Sequence, residues 1–248
     1  MVIGGLKRIA EVATFLVPLM GSIYFGAMIV ALILNLNLVL PAFKLILVDA
    51  FNGTAIAGGT FFGVLIYGVR RGAFSNEAGM GTESLVHGVA KVSNPVKQGL
   101  VAMTGPIFDT LIICTATALM ILVSGVWETS SSQGVTLTAE AFSILLGNFG
   151  GLILFVCVIC FGLSTIFTYS YYGASCSRFL FGRFGMKFYI YLYILSIFIY
   201  SIVPIDIAIN IADGAFAMMA IPTLISALWL APKVMQASKI YFKLVDNN

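Results

Sequence analysis

Charge is the scarcest commodity in this chain of 248 residues: 13 Lys and Arg with 10 Asp and Glu make up 9% of it, against roughly 25% in an average soluble domain. Histidine occurs once and cysteine four times. A water-soluble enzyme of this length needs charge to cover its surface, so the deficit excludes that class. Cys114, Cys157, Cys160 and Cys176 show no paired metal spacing, and the Cys157-Val158-Ile159-Cys160 pair lies in an apolar run with no second pair or nearby His. They read as small buried hydrophobes rather than a zinc or redox site. The net charge of +3 is spread between apolar runs, without the dense basic stripe and interleaved aromatics that nucleic acid requires.

What the chain has instead is apolar length, with 60% hydrophobic residues gathered in runs of about twenty, enough to cross a hydrocarbon core roughly 30 Å thick. The pattern predicts an all-α polytopic membrane protein with spans at about 15–34, 57–74 continuing toward 90, 98–124, 149–172, 187–203 and 206–230. The opening MVIGGLKRIAEV is mildly amphipathic and leads into a full-length span, unlike a cleavable signal. The segment 38–50 is too short and too charged to cross, and is expected as an amphipathic helix at the outer surface.

Orientation follows the Lys and Arg of short loops and helix ends. With the N-terminus inside, twelve of the thirteen basic residues, Arg70, Arg71 and the C-terminal Lys233, Lys239 and Lys243 among them, collect on one face and Lys44 alone stands on the other. Both termini are therefore expected to be cytoplasmic. The polar loop VWETSSSQGVTLTAEAF, on the opposite face, has no basic residue.

Polar groups at membrane depth carry the functional signal, because each charge there costs at least a few kcal/mol. Phe74-Ser75-Asn76-Glu77-Ala78-Gly79-Met80-Gly81 sets Ser, Asn and Glu among glycines directly after an apolar half-helix. Gly72, Gly79 and Gly81 allow a break near 70–82, and a broken helix exposes backbone groups that can hold a carboxylate and a cation. A cap that merely satisfies itself is the plain alternative. Ser164 and Thr165 offer neutral oxygens suited to a hard monovalent cation, although such hydroxyls more often bond within their own turn or to a neighbouring helix. Tyr169, Tyr171 and Tyr172 fit either a pocket wall or an interfacial aromatic belt.

Asp109 lies about eleven residues into its span, roughly 16 Å along it and near the midplane, with Thr110, Thr115 and Thr117 close by for a structural hydrogen bond or a relay. Asp213 follows Asn210 by less than one turn, ahead of Pro222, which is expected to kink the helix; helix-packing polarity is the plain reading. His87, beside Lys91, is expected to be solvated or to pack.

The run RRGAFSNEAGMGTESLVHGVAKVSNPVKQGLVAMTGPIFDTLIICTATALMILVSG resembles the alanine or glycine:cation symporter family, also called the sodium:alanine symporter family, with its RGVFSNEAG-G, HPV-QGLVA and D-T-L-I-V-C-T motifs. STIFTYSYYGASC and INIADGAFAMMAIP are similar to that family's STILGWSYYGE and IADTLNGLMAIPN. The resemblance runs from about Gly4 to the C-terminus.

It implies a five-plus-five inverted-repeat fold with substrate and ion held between two discontinuous helices, this chain forming the second repeat and the last helix of the first. It implies that Phe74, Ser75, Asn76, Glu77, Ala78 and Gly79, with Tyr169 in place of the family's Trp, contact substrate. Ser164 and Thr165 match sodium-site hydroxyls, and Asp109 and Asp213 remain a possible relay or structural polarity. Glu83 and Ala174 depart from the pattern, and the family's N-terminal part with its GTGNIAG-type motif is absent from these residues. The expected function is Na⁺-coupled symport of alanine or glycine across the cytoplasmic membrane, this chain being the C-terminal part of the transporter and inactive without the N-terminal half, which a separate chain supplies where the protein is active; Na⁺ is the coupling ion, with no cofactor or other metal. A non-transporting scaffold or transporter remnant is the alternative from another class. An enzyme fits poorly, since Asp109, Glu77 and His87 lack any nucleophile or cofactor spacing.

Overall fold

Backbone polar groups in lipid have no water to bond, so a chain this apolar must satisfy them within helices. The computed structural model describes residues 6–51, 60–77 and 79–246, and every regular element among them is helical. In chain order these are α1 (Leu6–Leu34), α2 (Leu36–Ala50), α3 (Thr60–Ser75), α4 (Thr82–His87), α5 (Pro95–Pro106), a π-helical segment (Ile107–Cys114), α6 (Thr115–Ser124), α7 (Val126–Thr129), α8 (Val135–Leu146), α9 (Asn148–Ile202) and α10 (Ile205–Asp246).

Four helical stretches among the described residues are long and apolar enough to cross a membrane: Phe15–Leu34, Pro95–Ser124, Asn148–Ile202 and Ile205–Val245. The sequence pattern predicts six, and two local features account for the difference. The expected spans 149–172 and 187–203 run together as the 55 residues of α9, whose backbone leaves the helical region only at Gly182, with φ 67° and ψ −156°. A straight helix of that length would reach roughly 80 Å, more than twice a hydrocarbon core. The expected span 57–74 is represented by the 16 residues of α3, its first residues lying outside the described ones. The segment 38–50, expected as an amphipathic surface helix, lies in α2, which is set off from α1 at Asn35.

Other boundaries also moved. α10 does not stop near residue 230; it continues through Pro222 and Pro232 to Asp246. The loop between the third and fourth spans is not merely polar: it holds α8, whose Ala141 and Phe142 are fully buried. An acidic residue on that helix, Glu140, accepts a hydrogen bond from Ser132 Oγ at 2.6 Å. That bond and a second from Ser130 hold its carboxyl below the usual range. Nor are all four cysteines buried. Cys157 is, Cys160 is half-buried, and Cys114 and Cys176 are exposed on apolar helices.

The chain divides into two compact units, Met1–Phe62 with Ile113–Ile197, and Gly63–Ile112 with Phe198–Asn248. In the first, Tyr24, Met28 and Ala31 of α1 close on Met120 of α6, Phe142 of α8, and Leu154 and Cys157 of α9. Tyr24 stacks on Phe142 with ring centroids 5.5 Å apart, and its hydroxyl pairs with Thr117 Oγ1 at 2.8 Å. A second cluster seats Ala42 of α2 against Leu119 and Val123 of α6. In the second unit α5 packs against both α4 and α10. Large apolar side chains such as Phe179, Phe184, Leu228 and Trp229 stand exposed throughout. That is the distribution expected where the surrounding solvent is itself hydrocarbon.

Candidate substrate site at a broken helix

The helix α3 ends at Ser75, and the chain re-enters a helix only at Thr82. Between them the backbone takes left-handed conformations at Glu77 (φ 55°), Gly79 (φ 80°) and Gly81 (φ 87°). Glycine adopts such angles without steric penalty, whereas Glu77 incurs about 1 kcal/mol or more there. Strain of that kind persists where the surroundings fix it, often at binding sites. Gly81 is also closely approached: a Cβ at that position would meet Thr223 Oγ1 at 2.8 Å. Gly72, expected to help open the helix, remains inside α3, so the break starts later than the glycine pattern suggests.

Two polar bonds tie the end of α3 to the π-helical segment. Ser75 Oγ donates to Asp109 Oδ2 at 2.5 Å, and Asn76 Nδ2 donates to Thr110 Oγ1 at 2.7 Å. The π-helix itself has a local cause. Pro106 has no N–H to give the preceding turn, and the wider i→i+5 winding begins at the next residue, Ile107. Such windings recur at functional positions, and here one carries the two partners of the broken helix. Of the threonines near Asp109, Thr117 instead serves the other unit, donating to Ile113 O at 2.9 Å and pairing with Tyr24.

A third tie joins α3 to α10, where Arg70 donates to Asp213 Oδ2. Arg71 Nη1 lies 3.9 Å from the other carboxylate oxygen, Oδ1, and its guanidinium sits over the Tyr67 ring, 5.1 Å from the centroid. The Asp213 side chain is 4% exposed, against 53% for Arg70. Asp213 therefore links α10 to α3 through an ion pair whose carboxylate is buried and whose guanidinium is half exposed. The sequence carried a signal for this, two arginines closing an apolar run, although nothing in it joins position 70 to position 213.

A cavity of 460 Å³ opens beside these residues, lined by Arg70, Ala73, Gly79, Met80, Asp213 and Phe216 among others. Around the break three buried oxygens, Asn76 Oδ1, Thr82 Oγ1 and Asp213 Oδ1, accept no hydrogen bond from the described residues. Buried acceptors without partners are rare and call for an explanation. At a binding site the explanation is a ligand that supplies the missing donors.

Ser75, Asn76, Gly79, Asp109 and Asp213 are thus brought together within one unit. Glu77 belongs to the same turn, its carbonyl accepting from Met80 N at 3.2 Å. Phe74 is described by its backbone alone, in the last turn of α3, and Ala78 lies outside the described residues. Ser164, Thr165 and Tyr169 belong to the other unit. Ser164 Oγ donates to Phe161 O at 2.8 Å within its own turn, and its carbonyl accepts from Thr168 Oγ1. Thr165 is exposed, and the Tyr169 and Tyr172 rings lie 5.4 Å apart. His87 Nδ1 pairs with Gln98 Nε2 at 2.7 Å, a packing role.

The Sodium:alanine symporter family matches this sequence across residues 1–248. The chain belongs to that family. It is 35% identical, over 99% of its length and 55% of the relative's, to the sodium/alanine symporter AgcS of Methanococcus maripaludis. It is 38% identical to the uncharacterized transporter YflA of Bacillus subtilis, over 94% of this chain and 51% of that one. A probable sodium/glutamine symporter of the same bacterium, GlnT, is 33% identical over 97% of this chain and 50% of its own. The chain therefore spans about half the length of the curated relatives it matches. In those relatives the remaining length belongs to the same polypeptide, so they give no support to a separate partner chain supplying it. Family membership and several apolar helices together make this a multi-pass membrane protein of a transporter family.

Proposed function

We propose that this chain forms the part of a cation-coupled amino-acid symporter that carries one discontinuous substrate-binding helix. Na⁺ is the coupling ion, and the substrate is a small neutral amino acid, alanine or glycine. The observation that carries the reading is the break at residues 76–81, with its left-handed backbone and the buried oxygens of Asn76 and Thr82 that lack partners among the described residues, beside a cavity lined by Gly79, Met80 and Asp213. In this scheme Phe74, Ser75, Asn76, Glu77, Ala78 and Gly79 contact substrate, Tyr169 narrows the pocket, and Ser164 and Thr165 provide neutral oxygens to Na⁺. Asp109 positions the break through Ser75 instead of relaying protons. The five-plus-five inverted repeat, the cytoplasmic membrane and the inward termini belong to the same proposal and rest on charge asymmetry and family likeness.

The test is sodium-gradient-driven uptake of labelled alanine, glycine and glutamine into proteoliposomes. Uptake of alanine or glycine that collapses without the gradient is expected. A glutamine preference would overturn the specificity, and gradient-independent accumulation would overturn the coupling. Ser164→Ala and Thr165→Ala are each expected to weaken apparent sodium affinity; unchanged affinity in both would remove them from the ion site.

A further inference from the structure

The cavity beside the break is walled by two opposite charges already bonded to each other, Arg70 and Asp213. Asp213 Oδ2 takes the Arg70 bond, while Oδ1 is buried, 3.9 Å from Arg71, and accepts no hydrogen bond from the described residues. Arg70 engages through one terminal nitrogen and is half exposed, so further donors of its planar fork are open to a second acceptor. Parting such a pair leaves an uncompensated charge on each side, which is strongly unfavourable in a low-dielectric site. An anion alone would leave Asp213 with only the more distant charge of Arg71, and a cation alone would leave Arg70 without a counter-charge. A ligand carrying both charges a short distance apart replaces each lost partner.

We propose that Arg70 and Asp213 form a latch opened by ion-pair exchange with a zwitterionic α-amino acid, whose carboxylate takes Arg70 and whose ammonium takes Asp213. No covalent step or proton transfer is involved. Arg71, held over Tyr67, keeps a positive charge near Asp213 Oδ1 while Arg70 turns away. The latch would couple occupancy of the cavity to the tie between α3 and α10. The sequence adjoining the break thereby gains a role in recognising the charged ends of the substrate, beyond the pocket for its side chain. The inference rests on the substrate reading of residues 74–79, since Gly79 lines the same cavity.

The experiment is equilibrium binding in sodium buffer to the solubilised full-length protein, with alanine, propionate (no ammonium) and ethylamine (no carboxylate) as probes. Wild type is expected to bind alanine and to bind the other two at least tenfold more weakly. Asp213→Asn frees Arg70 without disturbing its shape, so alanine affinity should fall about tenfold while propionate affinity rises about tenfold. Arg70→Gln should show the mirror image, with ethylamine gaining. Asp213→Glu and Arg70→Lys keep both charges and should retain the wild-type ranking, which separates exchange from a failure to fold. Parallel losses for all three probes, or an unchanged ranking in Asp213→Asn and Arg70→Gln, would overturn the latch while leaving the alanine site of wild type intact. Absence of alanine binding to folded wild type would instead overturn the substrate reading itself, and the latch with it.

Discussion

In the unit formed by Met1–Phe62 and Ile113–Ile197, the closed-off side chains among those described are apolar apart from Ser170, with Phe142, Met28, Met120 and Cys157 nearly inaccessible. In the unit of Gly63–Ile112 and Phe198–Asn248, the buried residues among those described are Met80, Thr82 and Asp213. All but one are polar, and they sit at the break or in the ion pair. α10 makes the contrast plainest, since Asp213 is its one buried residue among those described. Apolar contact between helices gains little over contact with lipid, so tight steric fit and directional polar bonds must supply specificity. The first unit uses fit. The second uses bonds that one hydroxyl, amide or carboxylate can make or release, which suits a region whose contacts must change with its ligand.

The largest effect expected from this contrast is at Phe142. Phe142→Ala empties the centre of the first unit and should cost about 3–5 kcal/mol of unfolding free energy, read as a lowered thermal midpoint in detergent. Alanine affinity per folded molecule should stay near wild type, because the residue is remote from the break in sequence and belongs to the other unit. Asp213→Asn should cost less, about 2 kcal/mol. Removing one partner of a buried pair costs more than that, but Arg70 is half exposed and can be resolvated or screened. This variant should affect binding out of proportion to stability, the reverse of Phe142→Ala. If both lose stability and binding in step, the division of labour between the units is wrong.

Next comes Gly81→Ala, which imposes a positive φ on a side chain and drives its Cβ into Thr223 Oγ1. About 1–2 kcal/mol is expected. Adding Thr223→Ala should recover only the contact part, which a two-variant thermal melt series would resolve. The smallest effect concerns Glu140, whose carboxyl is held below its ordinary range by the Ser132 and Ser130 hydroxyls. A lowered folded pKa means that this stabilisation is fully present above the ordinary carboxylate range and is lost as pH falls through the folded value. Ser132→Ala should shift the acid limb of thermal stability slightly toward higher pH, a change small enough to need side-by-side melts between pH 3 and pH 6, on the order of the carboxylate range.

How far the sequence could be read depended on whether a feature was local. Gly79 and Gly81 after an apolar half-helix were enough to locate a break, because left-handed backbone there needs glycine whatever the surroundings. The extent of the break was less legible: Gly72 carries the same local signal yet stays helical, and Glu77 takes a left-handed angle that its residue type disfavours. Helical class followed from apolar length, whereas the number of separate spans depended on Gly182, which interrupts α9 at a single residue. α8 hid beside a stretch of Ser and Thr because, though apolar, it is only 12 residues long and too short to read as a span. The pairing of Arg70 with Asp213, and of Ser75 with Asp109, needs the tertiary course of the chain to bring distant positions together. Local pattern marked each of these residues as polar in an apolar run but could not match them.

The most direct test of the account is hydrogen–deuterium exchange on the full-length protein, with and without sodium and alanine, followed in two peptides. One spans residues 72–83, across the break, and the other spans 139–157, in the apolar core of the first unit. Slower exchange in the first peptide on adding both ligands, with no change in the second, is the predicted result. Equal protection in both, or protection confined to 139–157, would contradict the assignment of the break as the place where substrate is held.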